Sequence, residues 1–226
     1  QKLGHLSCLH DYQLFLVNSG AEANENAIKM ASFVTGKSGF VAFSGAFHGR
    51  TSGAVALTDN PKIIAPANAR EDFHILPWGD LDALEKALKK GTIAGIIIEG
   101  IQGVGGIQVP EPDFLQGIAS LAKSYDAKLI LDEVQSGYSR TGRFFAHQWV
   151  DGLMPDFITM AKGMGNGFPI GGLLISPEFK ASYGLLGTTF GGNHLACAAG
   201  LAVLEVLEQE NLQAKALELG DRLMEE

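Results

Sequence analysis

The sequence predicts an α/β fold built on a mostly parallel sheet, and three observations carry that expectation. Short β-like runs alternate with helical stretches along the chain, which is the pattern of successive βαβ units. Runs such as "AGIII" and "LILD" are apolar on both faces, as strands covered by helices on both sides must be. "FITMA" and "GGLLIS" are separated only by a glycine-rich turn, too little chain for a helical crossover, so one late strand is expected to run antiparallel.

In chain order, "LFLV" reads as a strand and leads into a helix from about Ala21, followed by the strands "GFVAF" and "DFHIL". "DLDALEKALKK" has a helical period. The strand "IAGIIIEG", the helix "DFLQGIASLAKSY" and the strand "KLILDE" come next, then "FITMA" and "GGLLIS". From Asn193 to Met224 the pattern is mostly helical. With no internal repeat, low-complexity tract or linker, residues 1–226 are expected to form one domain. The abrupt "QKLGHLS" start and the stop inside a helical pattern at "LGDRLMEE" read as a piece of a longer protein.

Composition narrows the function classes. A length of 226 residues with 46% hydrophobic residues is enough for a substantial core. The formal charge of −8 argues against nucleic acid or an anionic membrane as a partner, because both require a concentrated basic face. A small metabolite fits better. Two cysteines, Cys8 and Cys197, are too few for a disulfide framework, and no CxxC pair suggests zinc, so a cytosolic protein is expected. The sequence shows no signal peptide and no membrane-length apolar run.

In open α/β sheets, ligands collect outside the carboxyl ends of the strands. The loops there are "NSGAEANE", "SGAFHGRT", "EGIQGVGG", "DEVQSGYSRTG" and "AKGMGNG". In the first, Ser19 and Glu22 form a capping-box pattern, and Gly20 and Ala21 lie at the positive end of the helix, where a phosphate could approach closely. A plain helix start has the same pattern. Asp132 ends an apolar strand, where an ionised carboxylate needs a positive partner. A protonated heterocycle nitrogen would serve, with Val134 against the ring and Gln135 on a ring hydroxyl. A metal shared with Glu133, or simple capping of the next turn, are the alternatives, although neighbouring residues on a strand point to opposite faces.

Lys162 follows another strand, among Gly163, Gly165 and Gly167. Burial there would favour the neutral, nucleophilic amine, of the kind that forms Schiff bases, whereas a structural role or a phosphate contact is the plainer reading. Together the three features match the separate demands of pyridoxal phosphate: a phosphate cradle, an acid for the ring nitrogen and an amine for the aldehyde. Neither G-x-G-x-x-G after a strand nor G-x-x-x-x-G-K-[ST] occurs. His5, His10, His48, His74, His147 and His194 form no close ligand pair and read as packing or loop residues, and no metal is expected.

The stretches "NSGAEANENAIKMA", "GAFHGRT", "IIIEGIQGVGGI", "LILDEVQSGYSRTG", "PDFITMAKGMGNGFPIGG" and "GTTFGGNHLACAAGLAVLE" resemble those of the class III (ornithine and ω-amino acid) aminotransferases, in the family's order. The resemblance implies a fold type I pyridoxal-phosphate transferase large domain over residues 1–226, with a mostly parallel seven-stranded sheet carrying one antiparallel strand. A homodimer with the cofactor site at its interface follows from it, as does transfer of an amino group from a small-molecule donor to 2-oxoglutarate. Carried over by motif, Lys162 would bind the aldehyde and move the substrate proton. Asp132 would hold the ring nitrogen, Gln135 the ring oxygen, and Val134 and Phe47 the two faces. Ser19, Gly20 and Ala21 would bind the phosphate, joined by Thr189 from the second subunit. Arg50, Glu99 and Thr188 would lie near the substrate. "FHGRT" and "GTTFGGN" lean toward acetylornithine or succinylornithine as donor, with ornithine, 4-aminobutyrate and other ω-amino acids as alternatives. Gly100 and Val104 depart from the family's E-P-[IV]-Q-G-E-G-G, in place of proline and the second glutamate.

Overall fold

The computed structural model describes residues 1–180 and 182–225. Its elements run α1 (Lys2–Ser7), β1 (Gln13–Val17), α2 (Gly20–Thr35), β2 (Gly39–Phe43), α3 (Ser52–Ala56), β3 (Phe73–Leu76), α4 (Leu81–Leu88), β4 (Ile93–Glu99), α5 (Pro112–Ser124), β5 (Lys128–Asp132), β6 (Phe157–Met160), β7 (Gly171–Ile175), α6 (His194–Gln209) and α7 (Leu212–Glu225). The strands form one seven-stranded sheet in the order β1-β7-β6-β5-β4-β2-β3. β7 pairs antiparallel with both β1 and β6, and every other pairing is parallel, as the short glycine-rich connection requires.

The two-sided apolar character of the strands has a direct structural cause. Val41, Phe43, Ile96, Ile98, Leu129, Leu131 and Ile158 face one core with Leu84, Leu115 and Ile118 from α4 and α5. The residues between them, Phe40, Ala42, Ile97, Ile130 and Phe157, face a second core with Ala27, Ile28 and Ala31 from α2. Each large side chain buried there contributes roughly 1.5–3 kcal/mol. The alanine stripe of α2 lets that helix lie close over the middle of the sheet, bringing its N-terminus to the strand ends. The C-terminal helical stretch is divided between α6 and α7 at Asn211, which adopts φ 51°. Among the described residues, no helix is long and apolar enough to cross a membrane.

At the start of β7, backbone meets backbone. A Cβ at Gly171 would lie 2.7 Å from the carbonyl oxygen of Ser19 and 3.1 Å from that of Met160. Gly171→Ala is therefore expected to cost about 1–3 kcal/mol in urea unfolding, because neither carbonyl sits on a freely moving side chain.

Candidate active site

The parallel strands all end at one edge of the sheet, so the loops after β1, β2, β4, β5 and β6 meet there and enclose a cavity of about 680 Å³. Ser19, Gly20, Ala21, Phe47, Arg50, Glu99, Asp132, Val134, Gln135 and Lys162 all line it, so ten of the residues expected from the sequence share one site.

Ser19 is the N-cap of α2, and its Oγ accepts from Glu22 N–H at 3.2 Å. The return half of the capping box shifts by one residue, with Glu22 Oε2 accepting from Asn18 N–H at 2.5 Å. The first-turn N–H groups of Gly20 and Ala21 have no partner within the helix, as at any helix start, and they sit in the cavity wall. A Cβ at Gly20 would lie 2.7 Å from Val134 Cγ1, and one at Gly49 would lie 2.8 Å from Ala21 Cβ. Small residues here bring the loops carrying Val134 and Phe47 up against the helix N-terminus.

Asp132 ends β5 with only 3% of its surface exposed. Its Oδ1 accepts from Val134 N–H at 3.0 Å, and its Oδ2 accepts from Asn24 Nδ2 at 2.8 Å and faces His48 Nδ1 at 2.8 Å. An ionised carboxylate only accepts, so His48 Nδ1 carries the hydrogen. Asn24 Nδ2 also donates to the His48 carbonyl at 2.7 Å, binding helix, loop and acid together. This corrects the reading of His48 as a packing or loop residue: it is buried and paired with the site's acid. Asn24 was likewise not anticipated. Glu133 points away from Asp132, as alternation on a strand requires, which removes the shared-metal alternative. Its carboxylate accepts from Ser136 Oγ at 2.5 Å, Ala146 N–H at 3.0 Å and His147 N–H at 2.8 Å, and faces His147 Nδ1 at 2.9 Å. His147 is thus a buried polar partner rather than a packing residue.

Lys162 has φ 45°, in the left-handed region that a residue with a Cβ adopts at a cost, and such strain concentrates at functional positions. The residue is exposed, so the expected burial is not seen. The cavity mouth is open in this chain, and its amine is restrained instead by Gln135, whose Oε1 accepts from Nζ at 2.5 Å. Glu99 is buried, and burial pushes its carboxyl above the usual carboxylate range; its oxygens accept from the N–H groups of Phe47 and Gly103, each at 3.0 Å. Arg50 is exposed in the wall. Arg140, not anticipated, also lines the cavity, and its Nε donates to the Gln135 carbonyl at 3.1 Å.

Thr188 and Thr189 lie outside this cavity in their own chain. Thr188 Oγ1 accepts from Gly191 N–H at 3.1 Å and from Asn18 Nδ2 at 3.4 Å, so it sits at the margin; Thr189 is exposed. Of the two departures, Val104 stands 67% exposed at the rim. Gly100 donates its N–H to the Asp132 carbonyl at 3.2 Å, a bond that proline could not make, and a Cβ there would come 2.8 Å from Glu133 Oε1.

The family model described as aminotransferase class-III matches residues 1–226. The chain belongs to the class-III aminotransferase family. Among its relatives, the acetylornithine aminotransferase of Mycolicibacterium smegmatis is 47% identical over 215 residues, covering 93% of this chain and 54% of that protein. The acetylornithine aminotransferase of Bacillus subtilis is 42% identical over 216 residues, covering 94% and 56%. Among solved structures, the taurine:2-oxoglutarate aminotransferase of Bifidobacterium kashiwanohense, in complex with PLP and glutamate, aligns with a TM-score of 0.90 at 28% identity, covering 99% of this chain and 56% of that one. The ornithine aminotransferase of Toxoplasma gondii aligns at 0.85 with 32% identity, covering 97% and 54%. The chain thus spans about half the length of the relatives it matches. Class-III aminotransferases use pyridoxal phosphate, and the residues of this cavity fit it. A helix N-terminus with small residues suits the phosphate, Asp132 suits a protonated ring nitrogen, and the buried His48 Nε2 and Asn24 Oδ1 beside it have no protein partner among the described residues.

Proposed function

We propose that this chain is the cofactor-binding large domain of a pyridoxal-phosphate-dependent aminotransferase that moves the terminal amino group of N-acetyl- or N-succinylornithine to 2-oxoglutarate, in arginine biosynthesis. The observation that carries the reading is the convergence on one cavity of the α2 N-terminus, the Asp132 carboxylate held by Asn24 and His48, and the Lys162 amine held by Gln135. The names of the relatives at 40–47% identity support an acylated ornithine as donor.

When bound, pyridoxal phosphate supplies an aldehyde carbon for amines and an electron-poor ring that delocalises the charge left when a substrate carbon loses its proton. The chain's own residues do the rest. The N–H groups of Gly20 and Ala21 bind the phosphate with the helix dipole behind them. Asp132, fixed by three donors, keeps the ring nitrogen protonated by opposite charge at short range. Phe47 and Val134, both in the cavity wall, would confine the ring's two faces, and Gln135 would hold its oxygen. Lys162 Nζ is the nucleophile and carries the proton at the reacting carbon. Arg50 offers a planar fork to a substrate carboxylate or acyl group.

We place the active form in the cytoplasm as a homodimer, with Thr189 supplied to the phosphate across the interface. The exposure of Thr189, its position outside its own cavity and two unpaired cysteines support this. The test is a donor panel on the full-length protein with 2-oxoglutarate as acceptor. Acetylornithine or succinylornithine should exceed ornithine and 4-aminobutyrate at least about tenfold in kcat/KM, a transition-state difference of about 1.4 kcal/mol. If unacylated ornithine is the best donor, the substrate assignment is wrong.

A further inference from the structure

The geometry points to Glu99 as a positioning residue that clamps two cofactor-holding loops together, rather than as a substrate contact. This inference rests on the proposal that the cavity binds pyridoxal phosphate. Glu99 ends β4, which lies between β2 and β5 in the sheet. Its side chain therefore emerges between the loop after β2, which carries Phe47, and the loop after β5, which carries Gln135. Both carboxylate oxygens are spent on backbone: Oε1 accepts from Phe47 N–H and Oε2 from Gly103 N–H, each at 3.0 Å. With the residue only 6% exposed, each of those N–H groups would lose a charge-assisted bond if the carboxylate were removed.

Gly103 extends the clamp to the third loop. A Cβ there would lie 2.3 Å from Gln135 Nε2, so Gly103 packs its bare backbone against the carboxamide that restrains Lys162. A second stitch runs beside the first. Gln102 Nε2 donates to the Ser44 carbonyl at 3.0 Å, and a Cβ at Gly105 would come 2.6 Å from the Gly45 carbonyl oxygen. The segment 100–106 is thereby a spacer fixed on one side to the Phe47 loop and on the other to Gln135. One carboxylate sets the separation of a ring-face residue and the ring-oxygen residue. Burial raises the pKa of this acid, and the two backbone N–H donors work against that rise by favouring the carboxylate they bind.

The test uses the full-length protein stripped of cofactor and titrated with pyridoxal phosphate, followed by quenching of tryptophan fluorescence. Glu99→Gln keeps the shape but presents an NH2 group to one of the two N–H donors, and it should weaken cofactor binding about tenfold. Gly103→Ala leaves Glu99 intact and displaces the Gln135 amide, so it should weaken binding comparably and tests the clamp even if Glu99→Gln does not fold. Because Gly103→Ala acts through Gln135, adding it to Gln135→Ala should cost less than about twofold further, whereas Glu99→Gln should still weaken binding in that background through the Phe47 loop. A substrate contact at Glu99 predicts the opposite pattern: unchanged cofactor affinity with a raised KM for the amino donor. That pattern, or a Gly103→Ala loss that multiplies with Gln135→Ala, overturns the inference. Failure of the unsubstituted protein to bind pyridoxal phosphate would instead reject the proposed function.

Discussion

Replacing Lys162 with alanine in the full-length protein will reduce transamination by about 10³-fold or more while leaving the fold intact. The loss is large because the proposed function makes the same amine both nucleophile and proton carrier, and each role alone is worth orders of magnitude. Stability should change by no more than about 0.5 kcal/mol, because Lys162 is exposed and its side chain has Gln135 as hydrogen-bond partner, with no apolar burial to lose. Lys162→Gly should be as inactive and slightly more stable than Lys162→Ala, since φ 45° suits glycine. Parallel measurement of kcat and of urea midpoints checks both halves. An alanine variant that keeps more than about a tenth of wild-type activity would remove Lys162 from the chemistry.

Glu133→Ala is expected to have the largest effect on stability, about 3–5 kcal/mol. The carboxylate is buried and serves Ser136 Oγ, two backbone N–H groups and the His147 ring. Removing it strands all four groups in a region that water does not reach. Urea unfolding followed through Trp149, close in sequence to His147, should show a lower midpoint at unchanged slope. A loss below about 1 kcal/mol would mean that water or a rearranged turn replaces the carboxylate.

The sheet was legible because its signals are local. Two-sided apolar strands, the helix period of α4 and α5 and the short link between β6 and β7 each lie within a few residues of sequence. The Ser19 cap, the strand-end acid and the glycine-surrounded lysine were legible for the same reason. What surrounds the acid was not. His48 and Asn24 reach Asp132 across separations of 84 and 108 residues, and nothing in "FHGR" or "EANE" distinguishes a side chain turned toward a distant strand from one packed in its own loop. His147 was missed likewise, since its pairing depends on the chain after β5 folding back to β5's own end. The burial expected of Lys162 failed because composition cannot reveal how open a cavity is, and Thr188 and Thr189 lie outside the cavity because the motif that carries them does not say where its loop is placed.

The reversal at β7 has a consequence for how this scaffold tolerates change. Because the chain turns straight back beside β6, the lysine rides on a short tether anchored at both feet by neighbouring strands, with Gly171 wedged against the Ser19 carbonyl at the far foot. A crossover helix could slide to absorb an extra residue; this tether has no such slack. Length variation should therefore be far better tolerated in the surface segment 59–71, none of which lines the cavity, than anywhere from 161 to 170, where a single inserted residue would displace the Lys162 amine together with the stretch of cavity wall that flanks it.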